Sequence, residues 1–405
     1  MKNVIFITYL NLWSMDKNKG APSLYKTIDA YIKNGWNVTL INPEYNQGVT
    51  PELEGVSNIT FKPIFYPLLK VNKISFFGRI LHSIQGEYMF NKLARKALNE
   101  LGGKAVIYAY EVHGVKAGQR LAKELKLPFI TRFQGTILAP IKENTINKLK
   151  LYPHFDAIKS SADLTIMTDD GTQGDRVLQR LKNKSKEIFF WKNGVDIDVN
   201  EPINEEAVLK LRRNLKLAPN DKVLVTVSRL VSWKKVNRAI EAMPEIIKEN
   251  PDVKLVIVGD GEDKLNLQRL VEELNLKSNV IFAGAVPQVE VKHYLSLGDV
   301  FLSLYDLSNV GNPLLEAMSV GKPLITLNVG DTSTLIDHEE NGILLNLDQI
   351  SLIPKYILEI LSNQDYSKKL GDNAKQYAET NFWTWDERMK AELRVVDELV
   401  EEKGL

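Results

Sequence analysis

The sequence predicts an α/β protein built from two parallel sheets, each covered by helices on both faces. Three observations lead there. Short apolar runs alternate with amphipathic helical stretches along almost the whole chain. The alternation comes in two successive sets, one in each half. The chain, at 405 residues, is too long for one ordinary core and suits two.

The strand candidates of the first half are "NVIFITY", "NVTLI", "AVIYAY", "PFITRF", "LTIM" and "IFFW". Helical patterns lie between several of them, such as "SLYKTIDAYIKNG", which ends at Gly35 as helix C-termini often do. The second half repeats the pattern with "KVLVTVS", "VKLVIVG", "NVIFAG", "VFLSL" and "PLIT". The boundary is expected within "FFWKNGVDIDVNEPIN", 189–204, where Asn193-Gly194 is a turn signal and a Pro-containing acidic stretch reads as a connector. That gives domains over 1–192 and 193–382. The long amphipathic helix "WTWDERMKAELRVVDELVEEK", within 383–405, is expected to pack back on the first domain. Ligands of open parallel sheets bind beyond the carboxyl ends of the strands, and two such sheets facing each other make a cleft.

Composition narrows the function classes. Apolar content of 44% and charged content of 25% are ordinary for a folded soluble chain. Cysteine is absent, which excludes a disulfide framework, a thiolate nucleophile and a thiolate metal site. The start, "MKNVIFITYLNLW", lacks the apolar core and cleavage site of a signal peptide and reads as a first strand. No stretch approaches the roughly 18 apolar residues of a membrane helix, so a cytoplasmic protein is expected. Charge is uneven: residues 1–200 hold 28 Lys and Arg against 18 Asp and Glu, and residues 201–405 hold 24 against 33. A basic first half suits an anionic partner or surface, and solvation of two domains explains it equally.

Candidate residues gather where strands end. In "VSRLVSWKKVNRAIEAM", 227–243, Arg229 stands just past a strand and Lys234 at the start of the next helix. Backbone N–H groups and two cations converging there suit a pyrophosphate; alone, solvated surface cations are the simpler account. "VIVGDGEDKLNLQRL", 256–270, brings Gly259 into a strand-to-helix turn but lacks the third glycine of a dinucleotide loop. "KNKGAPSLYKTIDAY", 17–31, places Gly20 after the first strand and Ser23 as a helix cap, or makes an ordinary loop. "AYEVHG" and "TRFQGT" put Glu111, His113 and Gln134 past neighbouring strands, as cleft-facing groups or as plain loop residues. In "GNPLLEAMSVGKPLI", Glu316 is a lone acid inside an apolar run.

Other signals point nowhere in particular. His293 has no second ligand beside it, and "DID", 196–198, is more simply turn chemistry than a metal motif. The stretch 61–84 mixes aromatics and leucines with Lys62, Lys70, Lys73 and Arg79. That suits docking on an anionic membrane, although its prolines argue against one continuous amphipathic helix and burial of its aromatics is the competing account.

Taken in order, "WKNGVD", "VSRLVSWKK", "VIVGDGE", "VIFAGAVP" and "GNPLLEAMSVGKPLI" resemble the retaining glycosyltransferases of the GT-B fold, family 4, the glycosyl transferases of group 1. The resemblance covers nearly the whole chain and implies two facing Rossmann-like domains with a cleft between them. It implies that Arg229 and Lys234 hold a donor diphosphate and that Glu316 takes the ribose hydroxyls. Ser308, Asn309, Val310, Gly311 and Asn312 would surround the sugar and diphosphate. Gly284 and Val286 would meet the nucleobase, and Gly20 and Gly259 would lie in turns of the donor site. Three positions depart from the pattern: Ser308 stands where a first glutamate is usual, Lys235 where a glycine follows the diphosphate lysine, and Gln134 where a histidine is common.

The function implied is transfer of a sugar from a nucleotide-diphosphate donor to a hydroxyl acceptor, with retention, in cell-envelope or exopolysaccharide synthesis. No metal or other cofactor is expected, and no nucleic-acid partner. Glu111, His113 and Gln134 are the acceptor-side candidates, with Gln134 also near the chemistry. The acceptor would be a glycan or a lipid-linked glycan, with peripheral docking at the inner membrane face left open. Two other readings stand beside this one: a non-catalytic nucleotide-sugar-binding subunit, motivated by Ser308 and Gln134, and a nucleotide-sugar epimerase. The sequence does not name the sugar, the base or the acceptor.

Overall fold

A computed structural model describes residues 2–10, 23–44, 54–65, 75–196 and 203–404. Gly20, Lys70, Lys73 and Asp198 lie outside the described residues. The chain divides into two compact units. The first comprises Met1–Asp169, Gln173–Lys192 and Asp386–Leu405; the second comprises Asp170–Thr172 and Asn193–Trp385.

In the first unit, β1 (Asn3–Thr8), β2 (Asn37–Pro43), β3 (Val56–Phe61), β4 (Val106–Tyr110), β5 (Phe129–Phe133), β6 (Leu164–Thr168) and β7 (Glu187–Trp191) form one sheet in the order β3-β2-β1-β4-β5-β6-β7. Every pairing is parallel. The inner strands are buried along almost their whole length because helices cover both faces, even where β5 carries Thr131 and Arg132. β3, at the edge, is largely exposed and alternates polar with apolar. The helix Ser75–Glu100 is the long helix of this unit. Its Phe90, Ala94, Ala97 and Leu98 enter the core, whereas Leu81, Ile84 and Tyr88 stay exposed.

The terminal helix, Trp385–Glu402, closes the first unit through charge as well as apolar packing. Its Glu392 and Arg388 are fully buried together with Arg132 of β5. Glu392 Oε2 accepts from both guanidiniums at 3.1 Å, and its Oε1 accepts from the Tyr108 hydroxyl at 2.7 Å.

In the second unit, β8 (Lys222–Val227), β9 (Val253–Val258), β10 (Val280–Gly284), β11 (Val300–Ser303), β12 (Leu324–Leu327) and β13 (Ile343–Leu345) make a parallel sheet in the order β10-β9-β8-β11-β12-β13. In both sheets the strand order reverses beside the first strand, between β1 and β4 and between β8 and β11. Chains leaving such neighbours diverge to opposite faces and open a crevice at their carboxyl ends. No described helix is long and apolar enough to cross a membrane.

Candidate active site at the carboxyl edge of the second sheet

The crevice of the second sheet is framed by the segments that follow β8 and β11. Past β8, Arg229 is exposed, and Lys234 ends a single 3-10 turn, Ser232–Lys234. Past β11, the chain runs through Tyr305 and Ser308 to Gly311 and enters the helix Asn312–Val320. The two segments meet at Lys234. Its Nζ donates to the Ser308 carbonyl at 3.3 Å and lies 4.5 Å from the Trp233 ring and 4.1 Å from the Tyr305 ring. Arg229 approaches the other side of this cluster, 5.9 Å from the Trp233 ring. Desolvation lowers the Lys234 pKa to about 7; Asp170 opposes the shift and Arg229 adds to it.

Asp170 belongs to the same unit and had no place among the sequence candidates. Its carboxylate accepts from the Ser308 hydroxyl at 2.9 Å and from the Thr172 hydroxyl at 2.5 Å, and its carbonyl accepts from the Val310 amide at 3.2 Å. Desolvation raises its pKa to about 6 against these hydrogen bonds. Ser308 thus binds the lysine through its carbonyl and the acid through its hydroxyl, from a backbone held at φ 57°. Lys235 has φ 48°, and this left-handed backbone gives a physical reason for a glycine to be usual at that place. Its amine pairs instead with Asp306 at 3.5 Å.

The rest of the loop is committed in different ways. Asn309 is buried and donates to the Tyr305 carbonyl at 3.0 Å. Asn312 donates to the Gly194 carbonyl at 3.1 Å. Gly311 caps the helix with φ −89°, and a Cβ there would meet nothing closer than 3.5 Å. Neither packing nor backbone demands glycine at 311, and its carbonyl accepts the N–H groups of Leu314 and Leu315 at 3.0 and 3.3 Å. Gly259 differs: a Cβ there would stand 1.8 Å from the Ser228 carbonyl, so its role is close packing of the chain on itself. Gly284, with φ 77°, ends β10, and the half-buried Val286 lies in the turn after it.

Glu316 lies one turn into the helix Asn312–Val320 and is 1% exposed. Its Oε1 accepts from the Gln288 side chain at 2.7 Å. Gln288 also escaped the sequence reading. Both missed residues follow strands closely, Asp170 after β6 and Gln288 after β10, and that position was the available signal.

In the first unit, Glu111 and Gln134 come together. The Gln134 amide N–H donates to Glu111 Oε1 at 2.7 Å, and its side chain donates to the Tyr110 hydroxyl at 2.7 Å. Tyr110 in turn donates to Ser23 Oγ at 3.0 Å. Ser23 is therefore a buried first-turn residue of the helix Ser23–Lys33. His113 packs against other rings, Tyr9 at 5.3 Å and His154 at 6.3 Å. A groove of about 790 Å³ lies at the opposite edge of the second sheet, beside Asp221 and Asp299. Those acids accept backbone N–H groups of Ala218 and Val223, which is structural work.

Known proteins resemble this chain in sequence and in fold. Residues 208–377 match the family model described as glycosyl transferases group 1. An uncharacterized glycosyltransferase of Methanocaldococcus jannaschii is 23% identical over 93% of each chain. Over residues 208–377 the chain is similar to the glycosyl transferases of group 1. It is a glycosyltransferase. The GDP-mannose-dependent alpha-(1-6)-phosphatidylinositol monomannoside mannosyltransferase of Mycobacterium tuberculosis is 28% identical, over 48% of this chain and 51% of its own. The sucrose-phosphate synthase of Thermosynechococcus elongatus superposes with a TM-score of 0.78 at 17% identity, over 99% of this chain and 100% of its own. The glycosyltransferase has the GT-B fold, with one Rossmann-like sheet in each unit.

Proposed function

We propose that this glycosyltransferase takes a nucleotide-diphosphate sugar as donor and moves the sugar to a hydroxyl acceptor with retention at the anomeric carbon, in the manner of family 4. The observation that carries the reading is the gathering of Arg229, Lys234, the first turn of the helix Asn312–Val320 and the buried Glu316 around the ends of β8 and β11. Phosphates would be met by the two cations and by the Asn312 N–H at the start of the helix Asn312–Val320; Pro313 has no N–H, and those of Leu314 and Leu315 donate to the Gly311 carbonyl. The diol of a ribose would be met by Glu316, since a carboxylate accepts two hydroxyl hydrogen bonds. Gly284 and Val286 would border the base, and Ser308 to Asn312 the sugar and phosphates.

In the reaction, the bond from the anomeric carbon to the phosphate oxygen breaks and a bond to the acceptor oxygen forms on the same face. The acceptor proton passes to the departing phosphate. Charge developing on that phosphate is stabilised by Arg229 and Lys234, so the reading includes no metal. The acceptor would be met by the first unit, with Glu111, His113 and Gln134 as its candidates. The excess of Lys and Arg in residues 1–200 supports an anionic, lipid-linked glycan of the cell envelope. The Mycobacterium relative, named for GDP-mannose and a phosphatidylinositol mannoside, supports both parts of this reading.

A thermal-shift screen of UDP-, GDP-, ADP- and dTDP-sugars tests the donor. A sugar nucleotide present at 100 times its Kd should add about 2.7 kcal/mol of stability. A melting temperature unmoved by all four would overturn the reading. Binding to anionic vesicles at low salt tests the acceptor, and its absence would remove the lipid-linked part.

A further inference from the structure

Gln288 is the first residue of the helix Gln288–Leu297, directly behind Gly284 and the turn that carries Val286. Its side-chain Nε2 reaches across to Glu316 Oε1 at 2.7 Å, joining that helix to the helix Asn312–Val320 packed beside it. Glu316 is 1% exposed, so its carboxylate has little room to choose among orientations. A donor at 2.7 Å selects one of them. The donor is a carboxamide, which orients the acid without adding a positive charge of its own.

We propose that Gln288 is a positioning and specificity residue: by holding Glu316 from the turn behind β10, it sets that carboxylate to read the ribose hydroxyls of the nucleotide. The inference rests on the donor reading above. It ties two parts of nucleoside recognition to one contact, because the residue that orients the ribose acid grows out of the turn that borders the base. A hydrogen bond serving only to pin two helices together would affect every ligand alike. One that orients Glu316 affects a ribose more than a deoxyribose.

The test is calorimetric titration of UDP and GDP, each beside its 2′-deoxy counterpart, into the wild type, Gln288→Ala and Gln288→Glu. The wild type should prefer the ribonucleotide. In Gln288→Ala the ribonucleotide should weaken roughly tenfold, the loss of one charged hydrogen bond, while the 2′-deoxy compound changes less than about twofold. The preference should collapse. In Gln288→Glu it should collapse at neutral pH and return as the pH falls, when one of the two facing acids takes a proton and can donate again. A wild-type preference that survives in Gln288→Ala overturns this inference alone, as does an equal loss for both nucleotides accompanied by a lower melting temperature. A wild type that binds ribo and 2′-deoxy forms equally overturns the ribose role of Glu316 as well, and one that binds none of UDP, GDP, ADP and dTDP overturns the donor reading itself.

Discussion

Glu392 of the first unit and Glu316 of the second are both buried carboxylates on helices, at 0% and 1% exposure, yet their surroundings differ in kind. Glu392 meets two guanidiniums and a tyrosine hydroxyl, with Arg388 stacked 4.6 Å from the Trp191 ring. Burial, then the charge of Glu392, pushes the Tyr108 hydroxyl well above its ordinary pKa, so it stays a donor. Glu316 meets the neutral amide of Gln288 at 2.7 Å and stands one turn into the helix Asn312–Val320. The difference separates two uses of a buried acid. Glu392 neutralises charge that the fold itself has buried. Glu316 is the acid that the proposed function gives to a ligand.

The sharpest way to break this contrast is Glu392→Ala. Two buried guanidiniums would lose their shared counter-charge, at a cost of about 3–5 kcal/mol in stability. Urea unfolding reads it, and an unchanged midpoint would show that the network does not hold the fold. Glu316→Ala and Arg229→Ala should instead act on binding, weakening a nucleotide-diphosphate donor by about 2–4 kcal/mol. Titration calorimetry would expose a wrong assignment if neither change altered affinity.

A smaller effect follows from Lys234, whose pKa is lowered to about 7 by desolvation. Its charged form is present below that value and lost above it. Affinity for a diphosphate should therefore fall as the pH rises past about 7, by no more than about 1.4 kcal/mol per pH unit. Lys234→Arg should flatten that limb, since a guanidinium stays charged throughout. A limb as steep in the arginine variant would locate the titration elsewhere. Smallest of all, Lys235→Gly should relieve the backbone at φ 48° and stabilise the chain by up to about 1 kcal/mol, visible as a small rise in melting temperature.

The same contrast shows what could be read from the sequence. The fold class was legible because the central parallel strands are covered on both faces and so appear as largely apolar runs. β3 escaped because it is an edge strand with polar, exposed positions, and β13 because it has only three residues. Within the site, Arg229, Lys234, Ser308 and Glu316 follow strands or sit in a motif, so local pattern marked them. Asp170 did not stand out because its partner Ser308 is 138 residues away, and a hydrogen bond across that separation leaves no local period. Gln288 is 28 residues from Glu316, on another helix, and escaped for the same reason. Gly259 shows the reverse case: a residue marked by its motif that turns out to make room for the Ser228 carbonyl.

The knot at Glu392 has a consequence for synthesis. Arg132 leaves the ribosome 260 residues ahead of the acid that answers it. The whole stretch Asn193–Trp385 emerges in between. The later-made lobe can therefore mature first, while the earlier one waits with a cation seeking its counterion.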